Sequence, residues 1–115
     1  MDWEIIVANP CILYITASSG DEAEKISHAL LEERLVACVN ILGNITSHYW
    51  WKGEIQTGNE VLLIAKTMDT LVERAVEKVK SVHSYECPCI VSLPISGGNP
   101  AFLTWLKEET ENSAG

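Results

Sequence analysis

The pattern of apolar and polar residues changes its period along the chain, and the changes predict where strands and helices begin. Cys11 to Ala17 is rich in β-forming residues and predicts a first strand. Ser19 and Glu22 then form a capping-box pattern, so a helix is expected to follow and to run to about Leu35. Its apolar face comprises Ala23, Ile26 and Leu30, which recur at helical spacing.

A long β-rich segment, Val36 to Trp51, predicts a second strand with a kink or bulge at Gly43-Asn44. Lys52-Gly53 predicts a tight hairpin turn. The returning strand is expected to break at Gly58-Asn59 and to continue to Thr67. The two expected pieces are Glu54–Thr57 and Glu60–Thr67.

The second half of the chain predicts two more helices and one strand. Thr70 and Glu73 form another capping-box pattern, and the helix is expected to end near His83. Ile90 to Ile95 predicts the last strand, and Asn99 is expected to cap a final helix. The apolar faces of these helices comprise Val72, Ala75, Val76 and Val79, and then Phe102, Trp105 and Leu106.

The order β-α-β-β-α-β plus a C-terminal helix is typical of an α+β ferredoxin-like domain. Two helices are expected on one face of a four-stranded antiparallel sheet, in a single domain over residues 1–115. Both faces of the strand Val61 to Ala65 are apolar, whereas a half-exposed strand would alternate with polar residues. The sequence therefore predicts self-association through the second face, unless the terminal helix covers it.

The charge and composition of the chain argue against several classes of function. Sixteen acidic against eight basic residues give a net charge of −8, which argues against a nucleic-acid partner. No apolar run is long enough to span a membrane, and Met1-Asp2-Trp3-Glu4 does not resemble the start of a signal peptide. We expect a cytoplasmic protein with reduced cysteines. No hydrolase or phosphate-loop signature is present, so no enzymatic activity and no organic cofactor are expected.

Several segments resemble segments of the CutA divalent-cation tolerance family, and they occur in the same order along the chain. They are Leu35–Ile41, Ile45–Ile55, Glu60 with Lys66-Thr67, His83–Glu86, Pro88, Leu93-Pro94 and Phe102–Leu106. The resemblance implies a ferredoxin-like subunit in a homotrimer similar to the PII signalling proteins. It also implies a cytoplasmic role in tolerance of divalent cations, copper above all.

His83, Cys87 and Cys89 form the most metal-like local pattern. Cys87 and Cys89 are two residues apart, so in an extended segment both thiols point to one side. Soft thiolates with an imidazole suit copper or zinc. The alternative is that both cysteines are small apolar side chains leading into a strand. Both thiols depart from the family's usual residues, whereas His83, Tyr85 and Glu86 match it.

Two further groups have a functional and a structural interpretation. Cys38 either packs in the core or joins an intersubunit cleft with three residues that could bind a small ligand or metal. Those residues are Lys66, Tyr85 and Glu86, with His83 nearby. The adjacent aromatic residues are expected at the trimer interface, although they could instead stack on a ligand. They are Tyr49, Trp50 and Trp51.

These features predict a trimeric divalent-cation tolerance protein that binds copper, zinc or a similar ion and contributes to the response to metal ions. Two alternatives remain. One is a PII-like sensor that binds a small anion or nucleotide between subunits. The other is a structural trimer that serves as a scaffold for another protein.

Overall fold

The computed structural model describes residues 7–111. Its elements in chain order are β1 (Pro10–Ala17), α1 (Gly20–Glu32), β2 (Cys38–Trp51), β3 (Glu54–Met68), a 3₁₀ turn (Asp69–Leu71), α2 (Val72–Val82), β4 (Ile90–Pro94) and α3 (Pro100–Thr110). The strands form one antiparallel sheet in the order β2-β3-β1-β4. The predicted α+β ferredoxin-like order with a C-terminal helix is confirmed.

Some predictions reach beyond the described residues. The single domain predicted over residues 1–115 extends past them at both ends, and the tetrapeptide Met1-Asp2-Trp3-Glu4 lies outside them. Within the described part of the chain, no helix is both long and apolar enough to cross a bilayer.

The start of α1 follows the predicted capping box, with one difference. Ser19 Oγ accepts a 3.1 Å hydrogen bond from the backbone N–H of Glu22. The Glu22 carboxylate, however, accepts from the backbone N–H and the hydroxyl of Ser18, each at 2.9 Å, one residue further back than the standard box. The α1 N-terminus is therefore tied to the end of β1.

Two helix boundaries differ from the predictions. The first helix ends at Glu32 rather than near Leu35, because Arg34 adopts a left-handed conformation with φ of 54° and reverses the chain. The second helix begins after a 3₁₀ turn, and no side chain caps it. The capping box predicted from Thr70 and Glu73 is therefore wrong.

The core lies between the two long helices and one face of the sheet. Leu13 and Ile15 of β1 and Leu63 of β3 are completely buried there. The predicted apolar face of α1 is confirmed, and on α2 the positions Ala75 and Val79 are completely buried. Burying a Leu or Ile side chain stabilises the fold by about 1.5–3 kcal/mol, so this layer fixes the helices on the sheet.

The strand β3 runs without interruption, so the break predicted at Gly58-Asn59 is wrong. Ser47 and Thr46 of β2 pair with Gly58 and Asn59. Cross-strand pairing thus overrides the local turn preference of these two residues. The predicted bulge in β2 is confirmed, because the register shifts between Leu42 and Ile45.

The hairpin between β2 and β3 closes with the predicted tight turn. Lys52 and Gly53 both have positive φ, 50° and 81°, which is the geometry of a type I′ hairpin turn. Asn44 in the bulge also has a positive φ of 57°, and Asn tolerates this conformation better than most residues. The turn therefore fixes the register in which residues 45–51 of β2 pair with β3.

We call the sheet surface opposite the helix-facing core the open face. Its members, from strand alternation and register, include Ile12, Tyr14, Thr16, Leu42, Ser47, Tyr49, Trp51, Glu60, Leu62, Ile64, Val91 and Leu93. Leu42, Val91 and Leu93 remain about half exposed. The terminal helix α3 buries Leu106, but Phe102 and Trp105 stay two-fifths exposed. Consequently α3 does not cover these open-face side chains.

Candidate functional site

Residues 83–89, which we call the connecting segment, link α2 to β4 and are held against the end of β1. The imidazole of His83 is completely buried. Its Nδ1 accepts a 3.0 Å hydrogen bond from the backbone N–H of Tyr85, so the ring proton lies on Nε2. Nε2 donates that proton to the main-chain oxygen of Thr16 at 2.8 Å. Both ring nitrogens are therefore used within the subunit.

A carboxylate next to His83 holds the same segment. Glu22 Oε2 accepts a 2.7 Å hydrogen bond from the backbone N–H of Ser84, and Glu22 Oε1 lies 3.8 Å from Nδ1 of His83. Burial by itself raises the pKa of the Glu22 carboxyl, but the hydrogen bonds from Ser18 and Ser84 outweigh it and lower the pKa to about 2. Glu22 therefore stays ionised and joins α1, β1 and the connecting segment.

A second carboxylate contacts the segment from the sheet. The Tyr85 hydroxyl donates a 3.0 Å hydrogen bond to Oε2 of Glu60 on β3. Burial, followed by the hydrogen bond and negative charge of Glu60, raises the pKa of Tyr85 to about 12. The rings of His83 and Tyr85 also pack together, with centroids 4.6 Å apart. The segment is thus attached to both β1 and β3.

Between the connecting segment and the open face lies a pocket of about 470 Å³. Its lining comprises four aromatic side chains, two carboxylates, two thiols and two aliphatic hydroxyls. They are Tyr14, Thr16, Ser47, Tyr49, Trp51, Glu60, Tyr85, Glu86, Cys87 and Cys89. This volume lies in the range of small-ligand sites, and we call the cavity the aromatic pocket.

The two thiols at the aromatic pocket are exposed and unbridged. Cys87 and Cys89 flank Pro88, and both line the cavity. Burial and then the nearby Glu60 carboxylate raise the pKa of the Cys89 thiol, and a hydrogen bond with Thr16 partly offsets this. Cys89 is therefore protonated at neutral pH, and a metal ion that bound it would have to displace the proton.

The structure does not bring the three predicted metal ligands together. His83 is buried and bonded to Thr16, whereas Cys87 and Cys89 line the aromatic pocket. Residues 7–111 contain no group of three or more His, Cys, Asp or Glu side chains that could hold a metal ion. Within one chain, therefore, the two thiols line the pocket but the histidine does not.

The predicted cleft residues fall into two pairs within one subunit. Cys38 and Lys66 are cross-strand partners, and Lys66 Nζ donates a 2.5 Å hydrogen bond to Oδ1 of Asn40. Tyr85 and Glu86 instead line the aromatic pocket. Lys66 is six positions from the pocket residue Glu60 along β3, or roughly 20 Å. The cleft that was predicted between subunits stays a prediction.

The three adjacent aromatic residues divide between the two sides of the sheet. Tyr49 and Trp51 lie on the open face and line the aromatic pocket. Trp50 pairs with Ile55 on the other side, and it is 71% exposed. Their assignment to a trimer interface stays a prediction.

Four pocket residues were not predicted from the sequence. They are Tyr14, Thr16, Ser47 and Glu60. Each lies on the open face, so strand alternation could have placed them on one side of the sheet. The connecting segment that closes the pocket has no such periodic signal.

Comparison with known proteins identifies relatives of this chain. Residues 11–109 match the family model described as CutA1 divalent ion tolerance protein. The divalent-cation tolerance protein CutA of Thermus thermophilus is 46% identical over 99 residues, covering 86% of this chain and 96% of that protein. The chloroplastic protein CutA 1 of Oryza sativa is 41% identical over 102 residues. That match covers 89% of this chain but 58% of the rice protein, so the chain spans little more than half of such relatives.

Solved structures of the same family share the fold. The crystal structure of CutA1 from Oryza sativa has a TM-score of 0.87 at 40% identity, covering 91% of this chain and 96% of that one. A structure described as the periplasmic divalent cation tolerance protein CutA from Archaeoglobus fulgidus has a TM-score of 0.86 at 43% identity, with coverages of 89% and 99%. The compartments named for these relatives differ, so the predicted cytoplasmic location is not confirmed.

Proposed function

This chain belongs to the CutA1 divalent ion tolerance family, and we propose that it works there as a homotrimer that binds a copper or zinc ion through Cys87 and Cys89. The observation that carries the proposal is the position of these thiols. Both are exposed, unbridged and open to one pocket. The family description names tolerance of divalent ions and no reaction, so the proposed role is binding rather than catalysis.

The donor set fits a soft metal ion. Two thiolates suit Cu(I) and Zn(II). Because each chain offers few ligands, further donors would come from another subunit or from solvent. His83 acts on this site as a positioning residue, since its hydrogen bonds fix the segment that carries both cysteines.

The homotrimer is supported by the open face. Leu42, Val91 and Leu93 expose about half of their side chains on one side of the sheet. A cluster of exposed apolar side chains marks a surface that associates with another protein. Burial of these side chains against two further copies would stabilise each contact in proportion to the apolar area removed from water.

The proposal requires a reducing compartment, such as the cytoplasm. A disulfide between Cys87 and Cys89, or one to another molecule, would remove the metal ligands. Metal binding must displace the thiol protons, so the affinity is expected to fall as the pH is lowered.

An anaerobic Cu(I) competition titration of the reduced protein tests the metal site. We expect the double variant Cys87→Ser/Cys89→Ser to lose binding while it keeps the wild-type melting temperature. Cys11→Ser is the matched control, because the Cys11 thiol is buried and lies outside both the aromatic pocket and the predicted cleft. Equal copper binding by the wild type and the double variant would refute the assignment of the two thiols.

The volume of the aromatic pocket favours the PII-like alternative, but the charge of the pocket does not. A cavity of about 470 Å³ can accept a small ligand. Its ionised side chains are acidic, however, and an anion or nucleotide would meet two carboxylates there. A sensor that binds anions is therefore the weaker candidate for this pocket.

A further inference from the structure

The connecting segment depends on contacts with other elements for its position. Residues 83–89 form neither helix nor strand, so individual hydrogen bonds determine where they lie. At the far end, the backbone oxygen of Cys89 accepts a 3.3 Å hydrogen bond from the N–H of Thr16. At the start, the N–H of Ser84 donates to the Glu22 carboxylate over 2.7 Å. The segment that carries the two thiols is therefore held at both ends from outside.

Glu22 is placed differently from an ordinary glutamate in the first turn of a helix. In a standard capping box, this side chain reaches back to the N-cap residue of its own helix. The two oxygen atoms of Glu22 instead bind Ser18 and Ser84, and its side chain is only 10% exposed. Removing a carboxylate from water is costly unless hydrogen bonds compensate it. Capping of α1 alone does not explain this burial.

We propose that Glu22 is a positioning residue for the metal site: by holding the start of the connecting segment, its carboxylate sets how Cys87 and Cys89 approach the ion. Glu22 does not line the aromatic pocket, so it acts through the backbone and not as a ligand. The inference rests on the proposed metal site. It adds α1, which carries neither thiol, to the elements that determine the metal affinity.

The contacts at position 22 require two acceptor oxygens. The backbone N–H groups of Ser18 and Ser84 donate to different oxygens of Glu22, from opposite sides of the carboxylate. A glutamine side chain has one acceptor oxygen, and its NH₂ group can only donate. Glu22→Gln therefore keeps the size of the side chain but leaves one of these two N–H groups without its acceptor.

Only a short stretch of backbone separates this contact from the thiols. Ser84 is three residues before Cys87 and five before Cys89, and the ring of Pro88 fixes one backbone dihedral between the two cysteines. A shift at the start of the segment is therefore passed on to both thiols. Outer residues that orient metal ligands typically change metal affinity by about 10–100-fold. We expect about tenfold for Glu22, because it acts through the backbone.

The first experiment measures Cu(I) affinity by anaerobic competition titration of the reduced protein in its native assembly state. Glu22→Gln should weaken binding about tenfold. Glu24→Gln is the matched control at an exposed position of the same helix, and it should bind like the wild type. Equal affinity of Glu22→Gln and the wild type would overturn the role of Glu22. Absence of Cu(I) binding by the wild type would instead refute the metal site, and this inference with it.

Variants of Ser84 separate positioning from a general loss of stability. Ser84→Pro removes the N–H that Glu22 binds, and His83 has φ of −86° and ψ of 145°, which a following proline allows. In the Ser84→Pro background, Glu22→Gln should change Cu(I) affinity less than about twofold. Ser84→Ala keeps the N–H and should bind like the wild type. A tenfold loss that persists in the Ser84→Pro background would contradict the role of this contact.

Hydrogen exchange of the metal-free protein gives a readout that needs no copper. Glu22→Gln should speed exchange of the amides in residues 84–89 at least about tenfold more than exchange of the amides in β3. Exchange of this segment that is the same in Glu22→Gln and the wild type would overturn the proposal. An equal increase in the segment and in β3 would show a general loss of stability, and it would also refute the positioning role.

Discussion

His83 donates a hydrogen bond from Nε2 to the main-chain oxygen of Thr16 over 2.8 Å, which joins the end of α2 to the end of β1. The two residues are far apart in sequence, and the imidazole between them is completely buried. Because Tyr85 N–H donates to the other ring nitrogen, the imidazole is neutral and fully bonded. This contact fixes where the connecting segment begins.

His83→Ala is expected to lower the free energy of unfolding by about 1–3 kcal/mol, because it leaves two part-buried backbone groups without their partners. Urea unfolding at a fixed protein concentration measures the change. His28→Ala is the matched control, since the His28 side chain is 70% exposed on α1. Equal loss of stability in both variants would show that the His83 hydrogen bonds add nothing.

Glu22 makes the free energy of unfolding depend on pH in the acidic range. Its pKa is about 2 in the folded protein and about 4.5 in an unfolded chain. A carboxyl whose pKa is lowered by folding contributes stability above its unfolded pKa and loses that contribution as the pH falls. Unfolding by urea between pH 5 and pH 3 should show a steeper loss for wild type than for Glu22→Gln. Glu24→Gln, at an exposed position of α1, should keep the wild-type slope.

Tyr85 should ionise late in an alkaline titration. Its pKa is raised from 10 to about 12, firstly by burial and then by Glu60. The stability linked to this shift is present below pH 10 and is lost as the pH rises toward 12. Ultraviolet absorbance should show a late tyrosinate transition that Tyr85→Phe removes. Glu60→Gln should move the transition to lower pH, and an unmoved transition would contradict the role given to Glu60.

A charge on the open face should disrupt assembly. Leu42 is 46% exposed there, so Leu42→Glu would place a carboxylate in the proposed subunit interface. Sedimentation velocity should show a shift from the trimer toward the 12.7 kDa subunit. Leu31→Glu on α1 is the matched control, at a site outside the open face that is 36% exposed. A trimer that tolerates Leu42→Glu would argue against this interface.

Local sequence signals were sufficient for most of the fold. The caps at Ser19 and Asn99 form as predicted, and so does the turn at Lys52-Gly53. Local signals failed where distant contacts decide the structure. Gly58 stays within β3 because β2 pairs with it.

The candidate site was less predictable than the fold, because it depends on the connecting segment. The spacing of His83, Cys87 and Cys89 predicted three ligands at one point. The chain instead leaves α2 in an extended conformation at His83, and the ring turns toward Thr16 on β1. Contacts between residues so far apart in sequence have no local signature. Glu60 was missed for the same reason, since only the folded sheet brings it to Tyr85.

Native mass spectrometry of the reduced protein after Cu(I) loading tests the proposed trimeric metal-binding function most directly, because one spectrum gives both the assembly and its metal content. The expected species has three times the 12.7 kDa subunit mass plus bound copper, and the copper is absent from the Cys87→Ser/Cys89→Ser variant. A monomer, or a trimer whose copper content is the same in both proteins, would contradict the proposal.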